Sequence, residues 1–376
     1  MKPFAFPTGK DPALLFGCGR FRMEEHLLEN CAGEIVRFGR SPLIVCDDNS
    51  HRVAFETVAA SLRAAGAEPR ELRHNGFCCR EDAIAYAEAG AIDGIDMVLG
   101  CGGGVILDFS KCLAHLADVP LVTIPTSSAQ CCAYTTIAAC YTHEGRYAST
   151  SHFSREAVVA LLDLTILSRQ PPRLLAAGAL DAMAKKIELE FWDDLDRLGG
   201  TGAKGGAGVA SEIASAISDC IYGDLDVKID AAMADLAKGE PTQTLRDVIF
   251  ASIVGAGIVS GISGGSRQVA LAHRLYYCLK SLHPAEASRY THGELVAMGL
   301  VMQHTYNGKP AEAETLAARL RGWGLPTRLG DMGLPSNPEE LEACAAFIDA
   351  TKTMKAAVAV DPAAPAKLRE ALKVVF

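Results

Sequence analysis

Three consecutive glycines occupy a position where the backbone could approach a phosphate group closely. Gly102, Gly103 and Gly104 follow a short apolar run, 95–99, and precede a segment with helical spacing, 105–116. Glycines between a strand and a helix let a pyrophosphate approach backbone N–H groups at the helix N-terminus. The full dinucleotide fingerprint GxGxxG is absent, so the glycines taken alone fit a structural turn better.

A carboxylate at the end of an earlier strand could bind the sugar of the same nucleotide. Asp47 ends the apolar run PLIVCDD, residues 42–48. A carboxylate there can accept hydrogen bonds from an adenosine ribose and repel a 2′-phosphate, which favours NAD over NADP. The same side chain is also well placed to cap the helix that follows. Spacing alone leaves both interpretations open.

The elements that would position these residues alternate along residues 42–165. The pattern predicts strands over 42–48, 68–76, 95–100 and 119–126, and helices over 51–66, 80–91 and 105–116. Strands that alternate with helices indicate a parallel sheet with helices on both faces.

The second half of the chain has a different pattern. After the double proline, residues 171–172, the pattern predicts long helices over 174–192, 241–263, 266–282 and 293–306. We therefore predict an α/β N-terminal domain with a parallel, Rossmann-like sheet over residues 1–167, and an all-α C-terminal domain over residues 168–376. A Gly-rich stretch, 198–208, lacks a phosphate-loop GK[ST] and is interpreted as a flexible connection.

Composition limits the partners and the compartment. The 376 residues carry a net charge of −9 and no long Lys/Arg cluster, which argues against a nucleic-acid surface. No window reaches about 18 uninterrupted apolar residues, and the first residues lack the features of a secretion signal, so we expect a cytoplasmic protein without membrane contact. The thirteen cysteines, odd in number and without a CxxC pair, fit buried thiols better than disulfides or a zinc finger. A small molecule is the expected partner.

Four stretches together resemble the iron-containing alcohol dehydrogenase and glycerol dehydrogenase superfamily, which shares its two-domain fold with dehydroquinate synthase. They are GGGVILDFSK (102–111), VTIPTSSA (122–129), LLDLTILSRQPPRLLAAGALDAMAK (161–185) and HGELVAMG (292–299). The resemblance implies a dehydroquinate synthase-like fold, with NAD bound across the cleft between the two domains. Its members are usually oligomers, so it also implies a homo-oligomer.

The resemblance assigns the glycine turn to the pyrophosphate of NAD. It also implies cofactor contacts from the helix after the turn, from the loop after the next strand, and from the carboxylate that favours NAD over NADP. The cofactor-binding residues that it implies are Asp47, Gly102, Gly103, Gly104, Asp108, Lys111, Thr126 and Ser127.

The resemblance further implies one divalent metal ion, zinc or iron, held by Asp181, His273 and His292 on helices of the second domain. Such a cation polarises an alcohol oxygen and lowers the pKa of the hydroxyl. One carboxylate and two imidazoles suit Zn²⁺ or Fe²⁺ and leave coordination positions open. His273 is the ligand on the glycerol dehydrogenase pattern AHxxHxxL, whereas the pattern HxxxH puts Val269 at the ligand position. We prefer the first alignment because it completes three ligands.

Three residues depart from the pattern of these relatives. Lys185 stands where many iron-dependent members have a second His, and its ammonium would weaken metal binding unless it points away or is neutralised. Tyr276 replaces a His and is either a proton carrier or a buried structural residue. Cys131 replaces a polyol-binding Asp, and with Gln130 and Tyr134 it forms the predicted substrate wall.

These residues together predict an NAD-dependent, metal-assisted oxidoreductase that interconverts a small alcohol or polyol and its carbonyl compound. Its catalytic residues would be Asp181, His273, His292 and Tyr276. A dehydroquinate synthase-like cyclase or lyase, which uses NAD as a transient oxidant, is one alternative. A non-catalytic nucleotide-binding relative is another, and it is suggested by Lys185, Cys131 and Tyr276. The identity of the substrate and the choice of zinc or iron stay open at this stage.

Overall fold

The computed structural model describes residues 5–7, 17–199, 208–263, 267 and 269–376, and a parallel sheet forms the centre of its N-terminal part. The strands are β1 (Phe21–Glu24), β2 (Pro42–Cys46), β3 (Arg70–Arg73), β4 (Met97–Gly102), β5 (Leu121–Pro125), β6 (Ile137–Tyr141), β7 (Tyr147–His152) and β8 (Val159–Asp163). Six of them form one sheet in the order β1-β8-β5-β4-β2-β3, and every neighbouring pair is parallel. The other two, β6 and β7, form a separate antiparallel hairpin.

The sheet is covered on both faces. Every residue of β2, β4, β5 and β8 is buried, as expected for the central strands of a parallel sheet. Successive side chains of β2 point to opposite faces: Ile44 and Cys46 pack in one apolar cluster, and Leu43 and Val45 pack in another. The hydrophobic pattern therefore specifies both layers of helices.

The helices of the N-terminal part come between these strands. They are α1 (Ala32–Ile35), α2 (Asp48–Ser50), α3 (Glu56–Ala64), α4 (Arg80–Glu88), α5 (Gly104–Ala117) and α6 (Leu164–Leu167). A π-helical segment, His51–Phe55, joins α2 to α3, and 3-10 turns cover Leu27–Asn30 and Cys131–Tyr134. Each strand and helix predicted for this part is present, with ends shifted by a few residues. The strands β1 and β8 and the hairpin are additions to the predicted set.

The C-terminal part is helical throughout its described residues. Its helices are α7 (Pro172–Arg197), α8 (Val209–Lys238), α9 (Gln243–Phe250), α10 (Ala256–Ile262), α11 (Leu271–Leu282), α12 (Pro284–Ala287), α13 (His292–Tyr306), α14 (Pro310–Gly322), α15 (Pro338–Asp349), α16 (Lys352–Val360) and α17 (Ala364–Leu372). A π-helical segment, Ala251–Gly255, links α9 to α10, and a 3-10 turn covers Leu329–Met332. The predicted fold class, a parallel α/β part followed by a helical part, is confirmed.

Two other predictions concern the junctions of the chain. The predicted boundary after residue 167 falls between α6 and α7, and the division into two domains stays a prediction. Of the Gly-rich stretch interpreted as a flexible connection, residues 200–207 lie outside the described residues.

Within the described residues, one helical stretch is long and apolar enough to cross a membrane, judged by length and composition. It runs from Gln243 to Ile262, and 67% of its most apolar window is buried inside the protein. Leu245, Val248 and Ile249 of this stretch belong to an apolar cluster that also contains residues of α7 and α8. The stretch is therefore a core helix.

The backbone of α7 closely approaches the backbones of two neighbouring elements. A Cβ atom at Gly293, in the first turn of α13, would lie 2.0 Å from the carbonyl oxygen of Ala177 on α7. A Cβ atom at Gly178 would lie 1.7 Å from the carbonyl oxygen of Ser128, in the loop after β5. Only glycine allows either approach, and the first one places His292 beside α7.

Candidate active site

Three helices bring one carboxylate and two imidazoles together. Asp181 lies on α7, His273 on α11, and His292 begins α13. Asp181 Oδ1 is 3.5 Å from His273 Nε2 and 3.3 Å from His292 Nε2, and the three donor atoms lie within 4.8 Å of one another. Zn–N and Zn–O bonds of about 2.1 Å at tetrahedral angles separate neighbouring ligand atoms by about 3.4 Å. The three donors therefore fit a divalent cation with little rearrangement.

A fourth residue, Glu188, fixes the orientation of His273. Glu188 Oε2 lies 2.6 Å from His273 Nδ1, and Oε1 accepts hydrogen bonds from the backbone N–H groups of His273 and Ala270. The carboxylate holds the proton on Nδ1 and leaves Nε2 facing Asp181. Sequence reasoning missed Glu188, although Asp181, Lys185 and Glu188 are spaced i, i+4 and i+7 on one face of α7.

Lys185 points into the same cluster. Its Nζ atom is 3.4 Å from Asp181 Oδ1, and its side chain is only 4% exposed. Burial alone would raise the pKa of Asp181, but Lys185 and His292 hold it well below its usual range. Burial alone would lower the pKa of Lys185, but Asp181 keeps it raised. The two residues thus form a buried, charged pair. The ammonium of Lys185 points into the site and keeps its charge there.

The pKa values of the two imidazoles shift in opposite directions. Burial opposes a charge on His273, but the neighbouring Glu188 raises the pKa of that imidazole above its usual value. Burial lowers the pKa of His292. The surroundings therefore favour the neutral, metal-binding form of the imidazole more strongly at His292 than at His273.

Tyr276 packs against His292 and is itself held by Tyr141. The ring of Tyr276 packs edge-on against His292, with ring centroids 4.4 Å apart. Its hydroxyl is hydrogen-bonded to the hydroxyl of Tyr141, which lies at the end of β6 and was not predicted from the sequence. Burial raises the pKa of both phenols. Tyr276 thus orients His292 here, and a proton-carrying role stays a prediction.

The alternative alignment placed Val269 at a ligand position. Val269 lines the cavity beside the cluster, but an isopropyl side chain offers no donor atom. Its backbone carbonyl accepts a hydrogen bond from Trp192 Nε1. The geometry agrees with the alignment that makes His273 the ligand.

A cavity of about 80 Å³ opens beside the cluster and has room for a small substrate. Asp181, Lys185 and both histidines line it, together with Gln130 and Cys131 from the 3-10 turn after β5. The third residue of the predicted substrate wall, Tyr134, is not among its lining residues and packs against Gly257 instead. The structure therefore brings two of the three predicted wall residues to the cavity.

A second, larger cleft of about 850 Å³ lies at the carboxyl ends of the sheet strands. Asp47, Gly103, Thr126 and Ser127 line it. This is the edge of an open parallel sheet at which ligands bind. Four of the residues predicted to bind the cofactor thus share one cleft.

Packing requires glycine at position 102, and a side chain at position 104 would displace Gln130. A Cβ atom at Gly102 would lie 2.7 Å from Ile106, and one at Gly104 would lie 1.5 Å from Gln130 Nε2. At Gly103 the nearest atom would be 3.8 Å away, on Ser127. The central glycine alone leaves its backbone open to the cleft.

Asp47 carries out the capping role that the sequence left open. Its Oδ1 accepts hydrogen bonds from Ser50 N at 2.6 Å and from Ser50 Oγ at 2.8 Å, which closes a capping box on α2. Because both bonds use the same oxygen, capping is compatible with a second contact from the cleft. Ribose binding by Asp47 stays a prediction.

Asp108 and Lys111, predicted to bind the cofactor, lie away from the larger cleft. Asp108 Oδ1 and Lys111 Nζ are 2.9 Å apart in a buried pair on α5. Lys111 also donates to the carbonyl of Ile137, and Asp108 accepts from the backbone N–H of Ala139. The pair therefore holds the β6–β7 hairpin against α5, and this geometry does not support a nucleotide contact.

Comparison with known proteins agrees with this arrangement. Residues 18–164 match the family model of iron-containing alcohol dehydrogenases. An uncharacterised oxidoreductase of Synechocystis sp. is 30% identical over 260 residues, which cover 67% of this chain and 63% of that protein, slightly under two thirds of its length. A glycerol dehydrogenase of Escherichia coli is 29% identical over 293 residues, which cover 78% of this chain and 77% of the relative.

The fold is shared with a solved structure over nearly the whole chain. The crystal structure of a probable glycerol dehydrogenase from Sinorhizobium meliloti superposes with a TM-score of 0.81 at 24% identity, covering 96% of this chain and 97% of the other. That likeness confirms the two-part fold, and the sequence matches confirm the resemblance on which the site was based. Residues 18–164 of the chain thus match the iron-containing alcohol dehydrogenase family model, and the chain has glycerol dehydrogenases among its homologues.

Proposed function

We propose that this protein is an NAD-dependent, metal-assisted oxidoreductase that interconverts a small alcohol or polyol and its carbonyl compound. One observation carries the proposal: the donor atoms of Asp181, His273 and His292 converge on a cavity of substrate size. The relatives named as glycerol dehydrogenase support the same reaction class.

The helical part would hold one divalent ion, Zn²⁺ or Fe²⁺, through Asp181, His273 and His292. Bound there, the ion supplies a Lewis acid that lowers the pKa of an alcohol hydroxyl. Glu188 keeps the Nε2 atom of His273 directed at the site, and Tyr276 holds the ring of His292 in place. The small cavity limits the water that can reach the reacting carbon.

The sheet part would hold NAD in the larger cleft. Gly103 exposes its backbone at the start of α5, where N–H groups and the helix dipole favour a pyrophosphate. Thr126 and Ser127 line the same cleft at the end of β5. Asp47 would accept hydrogen bonds from the ribose and disfavour a 2′-phosphate, which selects NAD over NADP.

Three coarser features complete the proposal. The sheet part, residues 1–167, and the helical part, residues 168–376, would act as nucleotide and metal domains. All thirteen cysteines are free thiols, which suits a reducing cytoplasm. A homo-oligomer is expected, and light scattering on the purified protein measures it.

The test is metal content together with NADH formation from a panel of alcohols, diols and polyols. One zinc or iron per chain, with turnover on a panel member, is the expected result. Glu34→Gln is the matched control, because it removes a buried carboxylate that pairs with Arg22 and lines neither the cavity nor the larger cleft. Failure to bind metal, with no turnover after anaerobic addition of Zn²⁺ or Fe²⁺, would refute the dehydrogenase.

A further inference from the structure

The ammonium of Lys185 has more hydrogen-bonding capacity than its surroundings use. An ammonium has three N–H donors. The hydrogen bond found for Lys185 within the described residues is a long one, 3.4 Å, to Asp181 Oδ1. The side chain is buried, and it lines the small cavity beside the proposed metal ligands. A buried cation with spare donors, facing a cavity, is placed to bind an anionic group.

The charges around the cavity point the same way. Asp108 lines it too, but its carboxylate is matched by Lys111. The remaining charged groups, counted with neutral imidazoles, are Asp181, Glu188 and Lys185, whose sum is −1. A divalent cation brings the sum to +1. One negative charge on the substrate therefore balances the site, and buried charges are tolerated only when they are balanced.

The cavity is small. Its volume of about 80 Å³ suits a molecule of a few carbon atoms. Cys131 adds no charge to the cavity wall, because burial raises the pKa of its thiol to about 11. A single carboxylate on a short carbon chain matches both the charge and the volume.

We propose that Lys185 is a substrate-binding residue, and that the preferred substrate is a small 2-hydroxy acid or its 2-oxo acid. This rests on the proposed dehydrogenase function. In the forward direction the C2–H bond breaks and its hydride passes to the nicotinamide of NAD⁺, while the hydroxyl proton leaves to solvent. The products are the 2-oxo acid, NADH and one proton. Lys185 donates to the substrate carboxylate throughout.

The closing experiment compares two substrates of equal size, lactate and propane-1,2-diol, which differ at one end by a carboxylate or a hydroxymethyl group. The native enzyme is expected to show a higher kcat/KM for lactate. Lys185→Met should lower the ratio of lactate to diol kcat/KM by about a hundredfold, the usual order for losing one partner of a buried charged pair. Lys185→Arg keeps the cation and should retain the preference for the acid.

Equilibrium binding gives a second readout that needs no turnover. Calorimetric titration of the Zn²⁺-loaded protein should detect pyruvate but not hydroxyacetone, and Lys185→Met should lose the pyruvate signal. Circular dichroism checks that each variant is folded.

Equal kcat/KM for the two substrates, or a fall of both together in Lys185→Met, would overturn the acid assignment and leave the dehydrogenase intact. Loss of turnover on both substrates in the native enzyme would count against the dehydrogenase instead. In that case pyruvate binding that depends on Lys185 would still support the anion site, and its absence would end it.

Discussion

The molecule contains two buried lysine–aspartate pairs, one with a structural role and one in the candidate active site. On α5, Asp108 and Lys111 are 2.9 Å apart. On α7, Asp181 and Lys185 are 3.4 Å apart. Both pairs border the small cavity, but the pair on α5 is completed by backbone groups of the β6–β7 hairpin, whereas the pair on α7 faces two histidines.

The difference shows how the same two residue types can serve opposite purposes. The oxygens and N–H groups of the first pair are taken up by Ile137 and Ala139, so the pair fixes a hairpin to a helix. In the second pair the carboxylate is shared among Lys185, His273 and His292. The Asp181 carboxylate and the two histidines can therefore bind a metal ion, and the spare N–H groups of Lys185 can bind a substrate. The following predictions test that division, beginning with the largest effect.

Asp181→Asn should remove most of the activity. The amide cannot supply the anionic ligand, so metal content should fall well below one per chain. Turnover should drop by at least about a thousandfold, or about 4 kcal/mol of transition-state stabilisation. Elemental analysis and NADH formation measure both quantities. An active variant that retains metal would contradict the assignment of this pair to chemistry.

Asp108→Asn should affect stability instead. Removing one partner of a buried pair leaves Lys111 as an uncompensated cation, which costs about 3–5 kcal/mol of unfolding free energy. Urea unfolding measures the loss. Metal content per folded molecule should stay near that of the native enzyme, because Asp108 is not a ligand. A loss of metal without a loss of stability would reverse the roles of the two pairs.

Glu188→Gln should weaken metal binding by about ten- to a hundredfold, because residues behind the ligands orient them and raise their basicity. The amide can still bond to the backbone of α11, which makes this variant a mild one. Competition with a chelator measures the dissociation constant. Glu34→Gln is a suitable control, since that carboxylate is also buried but lies on α1 and pairs with Arg22. Unchanged affinity in Glu188→Gln would mean that His273 needs no orienting partner.

Lys185→Met should strengthen metal binding by about tenfold, or about 1.4 kcal/mol, because a positive charge leaves the neighbourhood of the cation. The same substitution at Lys111, which lies away from the ligands, should leave metal affinity unchanged. Chelator competition again supplies the measurement. Weaker binding in Lys185→Met would show that the ammonium supports the ligands rather than opposing the metal.

Asp47→Asn should change cofactor preference by a few-fold toward NADP, because the carboxylate that repels a 2′-phosphate is gone. Asn is as good a helix cap as Asp, so stability should be retained. Asp47→Ala loses the cap as well and should cost about 1 kcal/mol. The ratio of kcat/KM for the two nucleotides is the readout. An unchanged ratio would limit Asp47 to capping.

Most of the fold follows from local patterns in the sequence. Apolar runs such as PLIVC and MVLGCG are buried strands, and the amphipathic stretches between them are helices. The strand β1 was not predicted, because Phe21–Glu24 is a four-residue edge strand with two charged positions. The β6–β7 hairpin was not predicted either, because contacts with α5 hold it in place and no local sequence pattern encodes those contacts.

The candidate site divides in the same way. Residues in motifs, such as Gly103, Asp181 and His292, were predicted because their neighbours in sequence are distinctive. Glu188 and Tyr141 were not, because each acts on a residue far along the chain, His273 and Tyr276 respectively. Such contacts between residues far apart in the chain arise from tertiary packing, which the local patterns of a single sequence do not reveal.

The contact between Gly293 and the Ala177 carbonyl restricts how this centre can change over evolutionary time. Since one side of the contact has no side chain, no second substitution on α13 can restore it after Gly293 is replaced. The distance between the helices that carry Asp181 and His292 is therefore inherited almost unaltered. Descendants of this protein can exchange one ligand type for another far more readily than they can respace the ligands.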